Sequence, residues 1–334
     1  MNEFLSICIP TYNRAVYLQQ TLKAFLPLVK PHQIPIYVSD NGSTDGTVEM
    51  LTKFKNEYYP LTFFKTSVKN LGIDRNIANA IAMASSQYIW LFGDDDLPHE
   101  SAVECILDNI KSGYKLIILN ASTYNSDFSK QIEKKRVGLS QDRVYGESEQ
   151  GQLLIDAAGY TCFLGCLVVE KSAWDSIPHE EYIGSDYVHV AVVFRYIVGN
   201  KALFLAQPLI DIRLGAASWS RRYFEVELIN WPRIIWSLPE EHYPFGIKKR
   251  ICQKYPTRSI RRILATRAYG YYGRTEYVQY IQPDIAISKW KKKLLYAIIY
   301  LPQKLAKFML SGFKCLQCIW GKPNFNLTLY RLFR

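Results

Sequence analysis

Gln87-Tyr88-Ile89-Trp90-Leu91-Phe92-Gly93-Asp94-Asp95-Asp96 joins an apolar run to three acids, and the architecture follows from it. An apolar, β-prone run reads as a strand buried on both faces, and here it runs straight into three carboxylates. Adjacent carboxylates repel one another unless a cation neutralises them, and hard divalent ions prefer oxygen ligands. The competing reading is local, with one Asp capping the helix expected after Pro98 and the others solvated. A strand end in a parallel sheet favours a ligand, because such sheets bind beyond the carboxyl ends of their strands.

Working outward, the same alternation recurs. Leu5 to Pro10 is a strand, followed by a helical pattern from Arg14 to Leu28; Ile34 to Ser39 is a second strand, and the turn Asp40-Asn41-Gly42-Ser43-Thr44-Asp45-Gly46-Thr47 opens a helix through Phe54. Leu61 to Lys65 and the helix from Asp74 to Ala84 complete a β-α-β-α series. Continuous apolar strands between amphipathic helices predict an α/β fold with a doubly wound, mostly parallel sheet. Beyond the helix after Pro98 and a strand at Leu116 to Leu119, Ser122 to Gln152 reads as a long loop, a candidate substrate flap. Apolar segments then return at Phe163 to Val169, Asp186 to Val198 and Ala202 to Leu205.

With 334 residues, 49% of them hydrophobic and 21% charged, the chain can bury a full core and is no disordered polymer. Its longest apolar run, Leu294 to Leu301, falls short of the roughly 20 residues a membrane-crossing helix needs. Met1-Asn2-Glu3-Phe4 leads into a strand with no basic or apolar leader, so a cytoplasmic location is expected. Seven cysteines without an export signal are expected as reduced, packed thiols.

Charge divides the chain. Phe245 to Arg334 holds 19 Lys+Arg against two acids, a net +17, whereas the first 244 residues carry −6. Lys289-Trp290-Lys291-Lys292-Lys293 is followed, beyond Pro302, by Leu305, Phe308, Met309, Phe313, Leu316, Ile319 and Trp320 near helical spacing. That is the pattern of a basic amphipathic helix lying in an anionic membrane interface, with a helix packed on the body as the alternative. No recognised nucleic-acid motif accompanies the charge, so nucleic acid is not expected as a partner. Cys315 and Cys318 lack a second ligand pair for zinc.

Three further positions could carry chemistry. Asp40 after the second strand could accept hydrogen bonds from a base or ribose, or close an Asx turn. Arg75, behind Gly72 at a helix start, could hold a nucleotide phosphate, although spacing alone is a weak signal. In Ile183-Gly184-Ser185-Asp186-Tyr187-Val188-His189, Asp186 at the start of an apolar helix serves equally as a general base or as an N-cap.

Ser6-Ile7-Cys8-Ile9-Pro10-Thr11-Tyr12-Asn13-Arg14, Val38 to Thr47, Asn70-Leu71-Gly72 with Arg75-Asn76, Gly93-Asp94-Asp95-Asp96, Ser185-Asp186 and Pro208 to Arg213 together resemble the signatures of the family 2 inverting glycosyltransferases with the GT-A fold. Tyr182 to Val190 and the chain length resemble, more narrowly, the abequosyltransferase-like enzymes of bacterial O-antigen assembly. The resemblance implies a GT-A domain over residues 1–222, followed by a basic, mainly helical region over 223–334. It implies a nucleoside-diphosphate sugar donor and a saccharide acceptor linked to polyprenyl diphosphate, met at the cytoplasmic face of the inner membrane. Pro10, Thr11, Tyr12, Asp40, Arg75 and Asp94 would line the nucleotide site, Asp95 and Asp96 would hold Mg²⁺ or Mn²⁺, and Asp186 would be the catalytic base. Gly93 stands where many relatives have Asp, and Ser185 where many have Glu. A sugar-phosphate nucleotidyltransferase is the rival, but it needs a Gly-rich phosphate loop, and Pro10 to Arg14 holds no Gly. A non-catalytic saccharide- or nucleotide-sugar-binding protein is the other.

Overall fold

The apolar segments at the front of the chain form parallel strands linked by helices: β1 Leu5–Thr11, α1 Ala15–Val29, β2 Ile36–Asp40, α2 Thr47–Glu57, β3 Thr62–Thr66, α3 Ile73–Ala82 and β4 Tyr88–Leu91. The computed structural model describes residues 2–215 and 218–319. Next in order come β5 Leu97–Pro98, α4 Ala102–Ile110, β6 Leu116–Tyr124, β7 Gln131–Glu133, β8 Arg143–Tyr145, α5 Gln150–Ala157, β9 Leu167–Glu170, α6 Lys171–Asp175, α7 Val188–Tyr196 and β10 Ala202–Arg213.

The strands make one sheet in the order β3-β2-β1-β4-β9-β6-β10-β5, with β7 on β6 and β8 on β10. Strands β1 to β4 pair in parallel, as do β6 and β10. Strand β9 runs antiparallel to both β4 and β6. Two reversals cancel, so β6 and β10 point the same way as β1, β2 and β4. The carboxyl ends at Thr11, Asp40, Leu91, Tyr124 and Arg213 therefore lie along one edge of the sheet. This is the α/β, mostly parallel architecture that the alternation predicts.

Every residue of β1, β2 and β4 is buried, as expected for strands covered on both faces. Behind the acidic stretch, Trp90 meets Phe25 and Phe92 edge-on at 5.3 and 5.0 Å, and its indole N–H donates to the Gly165 carbonyl at 2.8 Å. Such edge-to-face pairs add roughly 1 kcal/mol each beyond area burial, so β4 ends on a rigid base.

Ser122 to Gln152 is not a free flap. Its first residues extend β6, β7 and β8 add to the sheet, and Asn120 holds the returning chain through its Nδ2 to the Val137 carbonyl at 2.7 Å and its Oδ1 to the Val137 N–H at 3.1 Å. Three-residue edge strands are too short to show a period, and their charged residues are the usual protection of a sheet edge.

The chain forms two compact units, Met1–Ala217 with Leu238–Ile247, and Ser218–Ser237 with Lys248–Arg334. Leu238–Ile247 belongs with the sheet-bearing unit. The second unit is helical: α8 Tyr223–Glu225 and α9 Trp231–Ser237, joined by a π turn at Val226–Asn230, then the last residues of α10 Phe245–Ile251, α11 Ile260–Ala268, α12 Arg274–Glu276, α13 Lys289–Ile298 and α14 Gln303–Ile319. Its core sets Ile263, Leu264 and Ala268 against Leu295, Ile298 and Ala306, with Phe224 stacked on Tyr272 and Tyr280. Pro302 ends α13, and Arg267 takes the exposed Leu301 carbonyl at 2.8 Å.

Trp290, Leu305, Phe308 and Met309 are placed by these elements. Trp320 lies outside the described residues, as do the side chains of Phe313, Leu316, Ile319, Cys315 and Cys318. Among the described residues no helix is long and apolar enough to cross a membrane, and the described cysteines Cys8, Cys105, Cys162, Cys166 and Cys252 are free thiols.

Helix α7 is buried almost throughout and carries His189, 2% exposed, in its first turn. Burial drives the imidazole down to about 4, against the pull of the Cys162 and Thr161 backbone. Between there and the ordinary 6.5 the unfolded chain binds the extra proton, so stability is lost as pH falls through that window. His189→Phe should lose about 3 kcal/mol less unfolding free energy than the parent between pH 7 and pH 4. Parallel urea titrations of the two proteins would show no difference in slope with pH if His189 is not responsible.

Candidate functional site

Asp94, Asp95 and Asp96 follow β4 at the carboxyl edge, and each is held differently. The Thr11 hydroxyl at the end of β1 donates to Asp94 Oδ2 at 2.7 Å. Arg14 Nη1 approaches Asp95 Oδ2 at 3.3 Å. Asp96, 4% exposed, accepts the Arg213 backbone N–H at 2.9 Å. The main chain of the turn is pinned by Thr21 on α1, whose hydroxyl donates to the Asp96 carbonyl at 2.8 Å and the Asp94 carbonyl at 3.2 Å. Gly93 makes the turn possible, because a Cβ there would stand 2.9 Å from Asp96 Oδ2.

Arg213, the last residue of β10, is the hub. Its Nε donates to the Asp95 carbonyl at 2.9 Å, its Nη1 to the Ser126 carbonyl at 2.5 Å and its Nη2 to Gln20 Oε1 at 2.6 Å. The guanidinium also lies 4.8 Å from the Tyr17 ring centroid and 4.3 Å from that of Phe128. A buried guanidinium with all three nitrogens bonded offsets its desolvation and fixes its neighbours. The sequence reading missed this residue. Strand alternation in Ile210-Asp211-Ile212-Arg213 was the available signal, since it puts Asp211 and Arg213 on one face at a carboxyl end.

Concentrated charge perturbs the acids. Burial, then the charge of Asp95, pushes Asp94 up to about 7 against Arg14 and the Thr11 hydrogen bond. Burial also raises Asp95, opposed by Arg14 and Arg213, and holds Asp96 well above the usual carboxylate range. Carboxylates that hold protons this tightly are ones that an added positive charge would stabilise. Asp96 is committed to Arg213 and packed on Gly93, whereas Asp94 and Asp95 remain partly open. Among the described residues no three His, Cys, Asp or Glu side chains converge as a ligand set. Asp94 and Asp95, partly open and held above the usual carboxylate range, have the oxygen chemistry that a hard cation prefers.

The remaining nucleotide-side positions separate into two groups. Pro10 and Thr11 are buried in β1, while Tyr12 is 41% exposed just beyond it. Asp40 is fully buried and accepts from the Ser43 hydroxyl and, at 3.2 Å, from the Ser43 N–H, so its carboxylate closes its own turn. Arg75 faces outward in a bidentate pair with Glu180 at 2.5 and 2.6 Å. The structure thus brings Thr11 and the acidic turn together and engages Asp40 and Arg75 elsewhere.

Asp186 precedes α7 in a left-handed conformation, φ +64, costly for a residue with a Cβ. Its backbone N–H donates to Asp74 Oδ2 at 2.8 Å. Ser185 Oγ accepts the Tyr187 N–H at 3.0 Å in a turn ahead of the helix, and the N-cap position is Tyr187 with no side-chain cap, so Asp186 is not the helix cap. Two residues from Asp74, Asn76 Nδ2 donates to the Thr11 carbonyl at 3.0 Å, linking α3 to the acidic side as well.

Residues 6–172 match the family model described as Glycosyl transferase family 2. The chain is 30% identical over 230 residues to the abequosyltransferase RfbV of Salmonella typhimurium, covering 65% of this chain and 69% of that protein. It is 25% identical over 183 residues to the GalNAc(5)-diNAcBac-PP-undecaprenol beta-1,3-glucosyltransferase of Campylobacter jejuni, covering 54% of this chain and 57% of that protein. Among solved structures it superposes on S. aureus TarS 1-349 with a TM-score of 0.55 at 14% identity, covering 84% and 76% of the two chains. The complex of that protein with UDP-GlcNAc gives 0.53 at 15% identity, over 72% and 69%. At those identities the structural likeness shows the fold.

Arg213→Met keeps the stem but removes three hydrogen bonds and strands two carbonyls. It should cost about 3 kcal/mol of unfolding free energy in urea, and a loss below about 1 kcal/mol would mean that the guanidinium does not hold the turn.

Proposed function

The chain belongs to glycosyl transferase family 2, and on that premise we propose that it moves a sugar from a nucleoside diphosphate to a hydroxyl of a saccharide carried on polyprenyl diphosphate, with inversion, in bacterial surface polysaccharide assembly. The acidic turn at the end of β4, preformed by Thr11, Thr21, Arg14 and Arg213, is the observation that carries this reading. The nucleotide donor is supported by the titles of the TarS structures, which hold UDP and UDP-GlcNAc. A lipid-linked acceptor is supported by the name of the C. jejuni relative.

In this reading Asp186 takes the proton from the acceptor hydroxyl while its oxygen attacks the anomeric carbon from the face opposite the leaving group. The electron pair of the breaking C–O bond goes to the diphosphate, and one displacement inverts the centre. Asp95, with Asp94 beside it, would hold Mg²⁺ or Mn²⁺, which when bound supplies Lewis-acid stabilisation of the diphosphate charge. Arg14 holds Asp95 in place, and the Thr11 hydroxyl orients Asp94. Burial of the turn keeps water from weakening these interactions.

The second unit suits work at an anionic membrane surface on the cytoplasmic side. Trp290 on α13, Tyr300 in the link after it and Phe308 on α14 are 65, 69 and 75% exposed, and Lys293, Lys304 and Lys307 are exposed on the two helices. Aromatics and lysines presented together are the composition of an interfacial helix.

A thermal-shift panel of UDP-, GDP-, CDP- and dTDP-sugars tests the donor and the ion together. The cognate compound at about 100 times its Kd should add about 3 kcal/mol of stability, and only with Mn²⁺ or Mg²⁺ present. Turnover of that donor by Asp186→Asn should fall roughly 10²- to 10⁴-fold with donor binding retained, and near-normal turnover would remove Asp186 from the base role. For the membrane, the full chain should sediment with phosphatidylglycerol vesicles and not with phosphatidylcholine. Replacing Lys304 and Lys307 by Ala should weaken that binding at least tenfold, at about 1 kcal/mol per lysine; equal binding to both vesicle types would exclude the surface.

A further inference from the structure

Asp74, in the first turn of α3, is 2% exposed, and its carboxylate makes contacts that the chemistry above leaves unused. Besides the Asp186 N–H on Oδ2, its Oδ1 accepts the Val188 N–H at 3.0 Å, and the Gly184 backbone is a third partner. These amides span the turn from Gly184 to the first residue of α7. The free N–H groups of a helix start attract a carboxylate, but the usual supplier is a local side chain. Here the acceptor comes from a helix 112 residues earlier.

That turn needs an outside tie. Gly184 and Asp186 both lie at positive φ, +85 and +64. For glycine this costs little, but for Asp186 it is strained, and such a conformation persists only where its surroundings hold it. Burial keeps Asp74 above the usual carboxylate range in spite of its amide hydrogen bonds. The chain thus tolerates a buried acid beside a second acid here, as it does in the turn after β4.

We propose that Asp74 is a positioning residue for Asp186: by gripping the amides of Asp186 and Val188 it fixes the left-handed backbone from which the base reaches the acceptor hydroxyl. The inference rests on Asp186 being the base. Asp74 touches no substrate and acts through the backbone of the turn. Asn in its place has the same shape but presents one donor where two N–H groups need acceptors.

The test uses the full chain, the nucleotide sugar that the donor panel selects, and a double-mutant cycle of Asp74→Asn with Asp186→Asn. Asp74→Asn should lower kcat for that donor 10- to 100-fold while leaving its KM within about twofold, and the double variant should be no slower than Asp186→Asn alone. Without ligand, amide hydrogen exchange at residues 186–188 should speed up at least tenfold in Asp74→Asn, with the β1 and β4 amides unchanged. Independent, multiplicative losses in the double variant, or a normal kcat in Asp74→Asn, would overturn the positioning role. Full activity of Asp186→Asn would instead overturn the base, whatever Asp74 does. Should Asp74→Asn fail to fold, Asp74→Ser, which keeps one acceptor, must show the same split between kcat and KM in smaller measure; an equal rise in KM would mark Asp74 as merely structural.

Discussion

Gathering negative charge at the end of a buried strand is the constraint on which the sheet-bearing unit depends. Three successive carboxylates after β4 cannot all ionise cheaply in so little water, and their raised proton affinities express that cost. The chain answers with two guanidiniums, two threonine hydroxyls and a glycine, each from a different element at the carboxyl edge. Asp96 is thereby converted into a structural acceptor, and Asp94 and Asp95 are left as the open pair. Because the turn is already ordered, a ligand that neutralises the pair need not also organise it, which is the advantage of preorganisation.

The fold was legible where its period was regular. Leu5 to Leu91 alternates apolar strands with amphipathic helices, and there the expected and observed elements agree to within a few residues, because burial on both faces leaves a composition signal that needs no tertiary knowledge. Strand β9 gave no hint of running antiparallel between β4 and β6, since a four-residue apolar strand looks the same in either direction. The segment from 122 to 152 misled for a related reason. What orders it is the side chain of Asn120 and pairing to β6 and β10, and neither leaves a mark in local sequence.

At the site, the sequence located the acidic turn but could not divide labour within it. Only the Arg213 N–H and the close approach to Gly93 distinguish Asp96 from its neighbours, and both depend on how β10 returns to the edge. Asp40 and Arg75 show the opposite limit. Their types and positions suit a nucleotide, yet the structure engages one with Ser43 and the other with Glu180, partners three and 105 residues away. Only the first of these, an Asx turn, was open to inspection of the sequence.

The spacing between the acidic turn and Asp186 then follows from one helix. At about 100° per residue, positions two apart on a helix project nearly opposite ways. Asp74 and Asn76 are such a pair, and they grip the turn before α7 and the end of β1 respectively. Thr11, held by Asn76 through its carbonyl, holds Asp94 through its hydroxyl. A continuous path of hydrogen bonds therefore runs from the acidic turn through β1 and α3 to the backbone of Asp186. Substituting either grip would loosen one side alone, whereas a residue inserted between them would turn one side chain by about 100° and release a grip outright. The Asp-x-Asn spacing thus ties the acidic turn to the backbone of Asp186, and it gives a structural use to the two buried polar side chains of a helix that otherwise buries only apolar residues.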